Sequence, residues 1–430
     1  MKNIKVGIIT MGCPKNLVDS EKLAGVLKAN GIDVAHERPQ SDIVIINTCG
    51  FINDAKEESI NEILYHVSSK KVNKNRVVIV TGCLSERYRN ELKAEIPEVD
   101  VFFGVDEYDK VARYIIGEKE KFDKDRILGT PQHYAYLKIS EGCNRECSFC
   151  AIPLIRGKHK SLPEEDVLQE AKMLALQGVK ELIVIAQDTV SYGLDIYGER
   201  RIAGLLNKLS KIDEIQWIRL MYTYPAGFPD NLIDEIATNS KIVKYIDLPL
   251  QHISNSILSS MRRSINREDT EKLIAKIRNR IPNVAIRSTF IVGYPGESEK
   301  DFSELQQFIK NNKFERFGVF AYSPEENTTA YNLEDNVPHK RKMMRMSKLL
   351  QIHEKASIKF NNTLVGTILP VIVDDFNPQE NCYYGRTQID APEIDNIVRI
   401  FAKSDNEIKI GDIIDVRVVS SGIFDIDCEF

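Results

Sequence analysis

Over the first hundred residues, apolar positions gather into short runs separated by helical patterns. Residues 5–11, 43–47 and 77–81 are near-continuous apolar runs of strand length, while 19–30 (closed by Gly31), 54–67 and 85–95 carry apolar residues at helical spacing. This alternation predicts parallel βαβ units in a doubly wound sheet. Residues 118–132 are charge-rich without apolar period and read as a linker. The same logic then repeats six times. Strands are expected at 134–140, 181–187, 217–222, 244–248, 284–292 and 316–321, with helices at 163–177, 201–211, 230–239, 268–280 and 299–311. Six β/α units predict a partial barrel, since a full one needs eight. A charged helix over 339–361 leads out. From residue 363, alternating runs at 369–373, 397–401 and 413–419 sit between turn residues, which predicts a small all-β barrel of the OB-like sort. The chain is thus an α/β protein expected to divide into residues 1–118, 133–362 and 363–430.

Composition narrows the class. In 430 residues, 43% are hydrophobic and 28% charged, ordinary for a globular protein, and no run approaches the length of a membrane span. The first ten residues lack a cleavage-site pattern and read as a strand. A cytoplasmic protein without a membrane partner is expected. In such a compartment the 8 cysteines are not disulfides but core thiols, ligands or nucleophiles. A net charge of −5 excludes a global basic footprint for nucleic acid.

The cysteines carry the chemistry. Cys143-Asn-Arg-Glu-Cys147-Ser-Phe-Cys150 directly follows the first barrel strand, where parallel α/β folds place their active-site loops. Three thiolates hold three irons of a 4Fe-4S cubane and leave the fourth iron open to a small chelating molecule. The competing reading is a structural zinc site with His159 as fourth ligand. The unequal three-then-two spacing and the position at a barrel mouth favour the cluster. Cys13, Cys49 and Cys83 each follow an apolar strand beside Gly12, Gly50 and Gly82. Ligands gather at the carboxyl edge of an open parallel sheet, so these thiols are expected to converge on a second cluster. Three unrelated buried thiols are the bland alternative. Cys382 and Cys428 have no matching partners and read as incidental.

The CxxxCxxC motif, with Phe149 before its last cysteine and a six-unit barrel around it, resembles the radical S-adenosylmethionine superfamily. There the three cysteines ligate the cluster, a role the resemblance carries to Cys143, Cys147 and Cys150. Two cysteine trios in this order, followed by a terminal β-barrel, resemble the methylthiotransferases, whose terminal module is called TRAM. The resemblance implies two 4Fe-4S clusters, the auxiliary one on Cys13, Cys49 and Cys83. One S-adenosylmethionine donates methyl to cluster-associated sulfur and another supplies a 5′-deoxyadenosyl radical, so that methylthio sulfur replaces hydrogen at an unactivated carbon. An external electron donor is implied. Gln187 and Asp188 end the second barrel strand, Gln251 follows Leu248-Pro-Leu and Arg287 lies in the fifth strand; Gln187, Gln251 and Arg287 are candidates to contact S-adenosylmethionine. The turn Gly293-Tyr-Pro-Gly-Glu297 is a further candidate to line that pocket.

One branch of the methylthiotransferases modifies an adenosine beside the tRNA anticodon. Another modifies the β-carbon of an aspartate in small-subunit ribosomal protein S-twelve. Residues 363–430 hold 13 acidic and 5 basic residues, a balance of −8 against −5 for the whole chain. Such a module repels RNA phosphates and attracts a basic ribosomal protein. Ser140-Glu-Gly-Cys-Asn-Arg145, Ala186-Gln-Asp-Thr189 and Leu248-Pro-Leu-Gln-His252 likewise resemble the ribosomal-protein branch. The expected substrate is that aspartate, on protein S-twelve free or in the ribosome, with tRNA as the alternative and a non-catalytic zinc-bearing assembly factor as a reading from another class.

Overall fold

The structure, a computed structural model, describes residues 4–117, 125–402 and 407–430. Residues 1–3, ahead of the expected opening strand, part of the expected linker, 118–124, the end of the first expected domain and residues 403–406 of the third therefore lie outside the described residues.

The amino-terminal body contains β1 (Lys5–Thr10), α1 (Pro14–Ala29), β2 (Asp33–His36), β3 (Ile43–Thr48), α2 (Asn53–Ser69), β4 (Val77–Gly82), α3 (Cys83–Glu95), β5 (Val101–Phe102) and α4 (Tyr108–Ile116). All its ladders are parallel, in the order β2-β1-β3-β4-β5. The chain runs outward from β1 in both directions, so the switch point lies between β1 and β3, where doubly wound sheets bind ligands. Val44, Ile46, Val78 and Val80 face one helical layer, and Val6, Ile8, Ile45 and Ile79 face the other. β2, β5 and α4 were not foreseen. The first two are too short to show a period. The helix expected at 19–30 begins at Pro14, because proline is tolerated where a helix start has no N–H to bond.

The central body begins with β6 (Tyr134–Lys138), then β7 (Ser140–Glu141), α5 (Ile152–Arg156), β8 (Lys160–Ser161), α6 (Glu164–Leu176) and β9 (Glu181–Ile185). It continues with α7 (Leu194–Tyr197), α8 (Ile202–Leu209), β10 (Trp217–Leu220), α9 (Asp230–Thr238), β11 (Tyr245–Asp247), α10 (Asn255–Ser260), α11 (Arg267–Arg280), β12 (Ala285–Val292), α12 (Glu299–Asn311) and β13 (Arg316–Ala321). The six long strands form two parallel sheets, β10-β9-β6 and β11-β12-β13, which meet through a bridge between Ile218 and Ile242. Among the described residues β6 and β13 are not paired, so the barrel is open, as expected from six units. β7 and β8 form a small antiparallel pair that closes off the cysteine loop as an excursion from the first strand.

A long helix α13 (His339–Leu364) leads to β14 (Ile368–Asn377), β15 (Cys382–Thr387), β16 (Val398–Phe401), β17 (Ile413–Ser421) and β18 (Ile426–Glu429), a closed barrel ordered β14-β15-β16-β18-β17. Cys382 and Cys428 are buried in this body. No helix among the described residues is long and apolar enough to cross a membrane.

The three bodies interpenetrate. The inward faces of β6, β9, β10 and β11, carrying Tyr134, Tyr136, Ile183, Ile185, Trp217 and Tyr245, share one apolar cluster with Val18 of α1 and with Ile372 and Ala391 of the terminal barrel. Ion pairs seal the lower side. Glu181 accepts from Arg219 at 2.9 Å and from Arg386 at 2.7 Å, and Arg316 reaches Asp390 at 2.6 Å. Asp395 accepts from the Tyr245 hydroxyl at 2.7 Å.

Candidate functional site

Cys13, Cys49 and Cys83 stand at the carboxyl ends of β1, β3 and β4. Cys13 caps α1 and Cys83 opens α3, so two of the thiols sit at helix starts, where anionic sulfur is favoured. The three loops touch. A Cβ on Gly12 (φ +86°) would lie 2.7 Å from Cys49 Sγ, and one on Gly50 would lie 3.1 Å from the Cys83 carbonyl carbon. Asn16 ties them. Its backbone N–H donates to Cys13 O at 2.9 Å, and its amide donates to Met11 O at 2.9 Å and Thr48 O at 3.1 Å. Its Oδ1 lies 3.6 Å from Cys83 Sγ. The topology therefore brings this trio together. Burial pushes the Cys83 thiol up to about 12, against the pull of Arg156, and also raises Cys49.

Cys143, Cys147 and Cys150 lie on the loop between β7 and α5. Cys143 N–H donates to Gly157 O at 3.1 Å, and Cys150 N–H to Cys147 O at 3.0 Å. Arg263 Nη1 donates to Cys147 Sγ at 3.3 Å, while the Tyr224 hydroxyl lies 3.7 Å from the same sulfur. Arg145 and Arg263 both lie against the Tyr224 ring, at 3.9 and 4.3 Å from its centroid. Asp188 fixes Arg145 by accepting from its Nε at 2.7 Å. Burial pushes Cys143 up to about 11 and Cys150 up to about 12. In the absence of metal these thiols hold their protons, and metal loading releases them.

The two trios are neighbours. Cys83 packs against Ala151 and Ile155, just past Cys150. Arg156, which ends α5, donates to Cys83 Sγ at 3.5 Å and to Asn16 Oδ1 at 2.5 Å. Its other nitrogen donates to Asp19 and to Glu141, both at 2.9 Å. Lys138 completes the set through contacts to the same two carboxylates. Asp19, Asp106 and Glu141 are the one trio of candidate ligands among the described residues whose ligand atoms all lie within 4.8 Å. Lys138 and Arg156 already pair with two of its three carboxylates, Asp19 and Glu141. Burial opposes the charge on Asp19, yet these two cations hold its carboxyl below the usual range.

His159, the candidate fourth zinc ligand, has its Nε2 3.1 Å from Ser161 Oγ and its backbone N–H on Asn144 Oδ1 at 3.0 Å. Its Nε2 is thus engaged by Ser161, while its buried Nδ1 has no partner. A cubane with one iron per thiolate spreads its ligands wider than a single ion does, which suits trios that do not close to single-ion spacing.

The remaining candidates ring the barrel mouth. Gln187 donates through Nε2 to Glu141, and its buried Oε1 has no partner. Gln251 also has a buried, unpartnered Oε1, and it adopts φ +72°, a strained conformation for a residue with a side chain. Two orphaned buried acceptors at strand ends fit a polar cofactor such as S-adenosylmethionine. Arg287 is differently placed. Its Nη1 donates to Asp247 and to Thr289 Oγ1, each at 3.2 Å, and its Nε lies 3.4 Å from Asp395 of the terminal barrel. In the turn 293–297, Glu297 accepts from the backbone N–H of Gly293 and of Tyr294, the latter at 3.2 Å, and pairs with Arg345 at 3.1 Å.

Sequence reasoning missed Lys15, Asn16, Arg156, Tyr224 and Arg263. Lys15 and Asn16 follow Cys13 immediately, and that adjacency was the available signal. Lys15 is 7% exposed, its Nζ 3.2 Å above the centre of the Tyr222 ring, and burial lowers its pKa. Arg156 and Arg263 carry no local signal.

Comparison with known proteins agrees with this layout. Residues 5–104 match an uncharacterized protein family, UPF0004; residues 137–309 match the radical SAM superfamily; residues 365–430 match the TRAM domain. A ribosomal protein uS12 methylthiotransferase RimO of Cytophaga hutchinsonii is 47% identical over 98% of this chain and 97% of its own length. The protein of that name from Aquifex aeolicus is 45% identical, covering 98% of this chain and 96% of its own. Among solved structures, the radical S-adenosylmethionine methyltransferase TsrM from Kitasatospora setae, with cobalamin and a [4Fe-4S] cluster bound, superposes with a TM-score of 0.54 at 13% identity. That match covers 86% of this chain and 81% of TsrM, and at such identity it speaks to fold alone. With relatives this similar along nearly its whole length, the chain belongs to the ribosomal protein uS12 methylthiotransferase RimO family of radical S-adenosylmethionine enzymes.

Proposed function

We propose that the protein methylthiolates the β-carbon of an aspartate in ribosomal protein uS12, using two 4Fe-4S clusters. The observation that carries this reading is the contact between the two cysteine trios, through Arg156 and through the packing of Cys83 on Ala151 and Ile155. Cys143, Cys147 and Cys150 hold one cluster and Cys13, Cys49 and Cys83 the other. When bound, the clusters and S-adenosylmethionine supply the adenosyl radical, the methyl group and the sulfur.

The chain's own residues orient and shield that chemistry. Arg263 donates to the Cys147 sulfur, which stabilises it as thiolate, while the Tyr224 hydroxyl, donated to the Arg263 carbonyl, stands beside that sulfur. Arg156 does the same for Cys83. Gln187 and Gln251 offer Oε1 acceptors to the amino and hydroxyl groups of S-adenosylmethionine. Arg287, clamped by Asp247 and Asp395, shapes the pocket wall in place of a direct hold on the cofactor. Residues 1–118, 133–362 and 363–430 serve as the auxiliary-cluster, radical and TRAM domains. The acidic balance of the last favours a basic protein partner over tRNA. An external electron donor completes the system, which works in the cytoplasm.

Mass spectrometry of uS12 incubated with the anaerobically reconstituted protein tests this. The expected result is a mass gain of one SCH2 unit located at aspartate. Unmodified uS12 together with methylthiolated tRNA adenosine would overturn it.

A further inference from the structure

Among the described residues Lys15 is a cation without a carboxylate partner. Its side chain is 7% exposed, yet among the described residues no hydrogen bond or ion pair reaches its Nζ, which rests on the face of Tyr222 at 3.2 Å. The groups that face it are Cys13, assigned above to the auxiliary cluster, the cation Arg156, and two carboxylates that are committed elsewhere. Glu141 accepts from Lys138, Arg156 and Gln187, and Asp247 from Arg287 and from the backbone N–H of Tyr222. An ammonium on a largely buried side chain, held by one ring, is an incomplete arrangement, and a charge in such a place ordinarily has an ionic partner.

Position says what the partner is. Lys15 lies two residues beyond Cys13, in the first turn of α1, and α1 reaches into the barrel mouth, where Leu17 and Val18 join Met221 and Tyr222 in one apolar cluster. Tyr222 itself adopts φ +56°, just past the end of β10, and that conformation sets its ring beneath the ammonium. Any anion on Lys15 therefore sits between the auxiliary trio and the radical barrel.

We propose that Lys15 is a specificity residue that binds the carboxylate of the substrate side chain, an inference that rests on the aspartate reading above. The γ-carboxylate of aspartate is one bond from the β-carbon. A carboxylate held on Lys15 thus holds the reacting carbon beside the auxiliary trio at the barrel mouth, which is the positioning an oriented reaction needs. The strained Tyr222 keeps the ammonium aimed while the site awaits substrate.

The test uses the reconstituted full-length enzyme and purified uS12, either with its acceptor aspartate or with that residue changed to asparagine. Wild-type enzyme is expected to bind the aspartate form about tenfold or more tightly, the range of a charge-assisted hydrogen bond. Lys15→Gln is expected to bind both forms alike, and Lys15→Arg to keep much of the preference, with iron and sulfide content equal in all three. A Lys15→Gln enzyme that retains the preference overturns the proposal. So does one that loses affinity for S-adenosylmethionine while the preference stands, since the lysine then serves the cofactor. If loaded wild-type enzyme leaves uS12 unmodified, the aspartate reading itself fails; if it modifies uS12 and the variant discriminates normally, only the role of Lys15 does.

Discussion

Arg156 Nη2 lies 3.5 Å from Cys83 Sγ, so a side chain from the radical barrel hydrogen-bonds a cysteine of the neighbouring domain. The same guanidinium neutralises Asp19 and Glu141, and it is 6% exposed.

Arg156→Met removes the donor and leaves two buried carboxylates to Lys138 alone. Breaking a buried network of this kind costs about 3–5 kcal/mol, read as a lower denaturant midpoint of the metal-free protein. In the loaded protein, loss of a hydrogen bond to ligand sulfur makes the auxiliary cluster harder to reduce. Redox titration followed by EPR is expected to show that cluster at a more negative midpoint, with the other unmoved.

Replacing Cys13, Cys49 and Cys83 together by alanine is expected to lower the iron content from about eight to about four per chain. Cleavage of S-adenosylmethionine persists and methylthiolation is lost. Replacing Cys143, Cys147 and Cys150 instead abolishes both activities. Iron and sulfide analysis alongside product chromatography checks each half, and loss of cleavage in the first variant would refute the division of labour.

Gly12→Ala combines a left-handed backbone at φ +86° with a Cβ placed 2.7 Å from Cys49 Sγ. The local strain falls on the cysteine loops and leaves the sheet below intact. The expected outcome is a folded protein by circular dichroism that loads one cluster in place of two.

Among the described residues Glu181 is the sole carboxylate that Arg219 contacts, and it shares Arg386 with Asp374. Glu181→Gln leaves a fully buried guanidinium uncompensated at the joint between barrel and terminal domain. A loss of about 3–5 kcal/mol is expected, measured by chemical denaturation.

His353 is stacked on Phe317, with ring centroids 4.9 Å apart, and its other face is turned to Phe424 of the terminal barrel. Burial, aided by Arg316, pulls its pKa down to about 4. The folded protein thus keeps this imidazole neutral where the unfolded chain, with a pKa near 6.5, binds a proton. The contribution is fully present above about pH 6.5 and is lost as pH falls towards 4. Thermal unfolding of His353→Phe is expected to show a shallower decline in Tm across that window than the wild type.

The fold class was legible because it rests on local periodicity. The runs at 43–47 and 77–81 are apolar on both faces, as strands between two helical layers must be, and the helix Glu299–Asn311 was bounded by its apolar spacing. β2 and β5 escaped notice because their burial is decided by neighbours in the sheet. The six cysteines proposed as cluster ligands stood out for a related reason: each sits at a strand end or in a fixed spacing, and in parallel α/β folds strand ends are where sites form.

By itself, then, the amino-acid order determined the three-part α/β architecture and which thiols are available for metal. Tertiary structure alone decided how those parts meet. Arg156 and Lys15 act across domain boundaries, and Arg263 across the barrel, on partners far away in sequence, and no local pattern records a contact between surfaces that exist only after the chain has folded. The same holds for Arg287, read from its strand position as a cofactor contact but found between Asp247 and Asp395. A charged side chain in a closed interior takes its role from whichever opposite charge the packing brings within reach, and packing is a property of the assembled molecule.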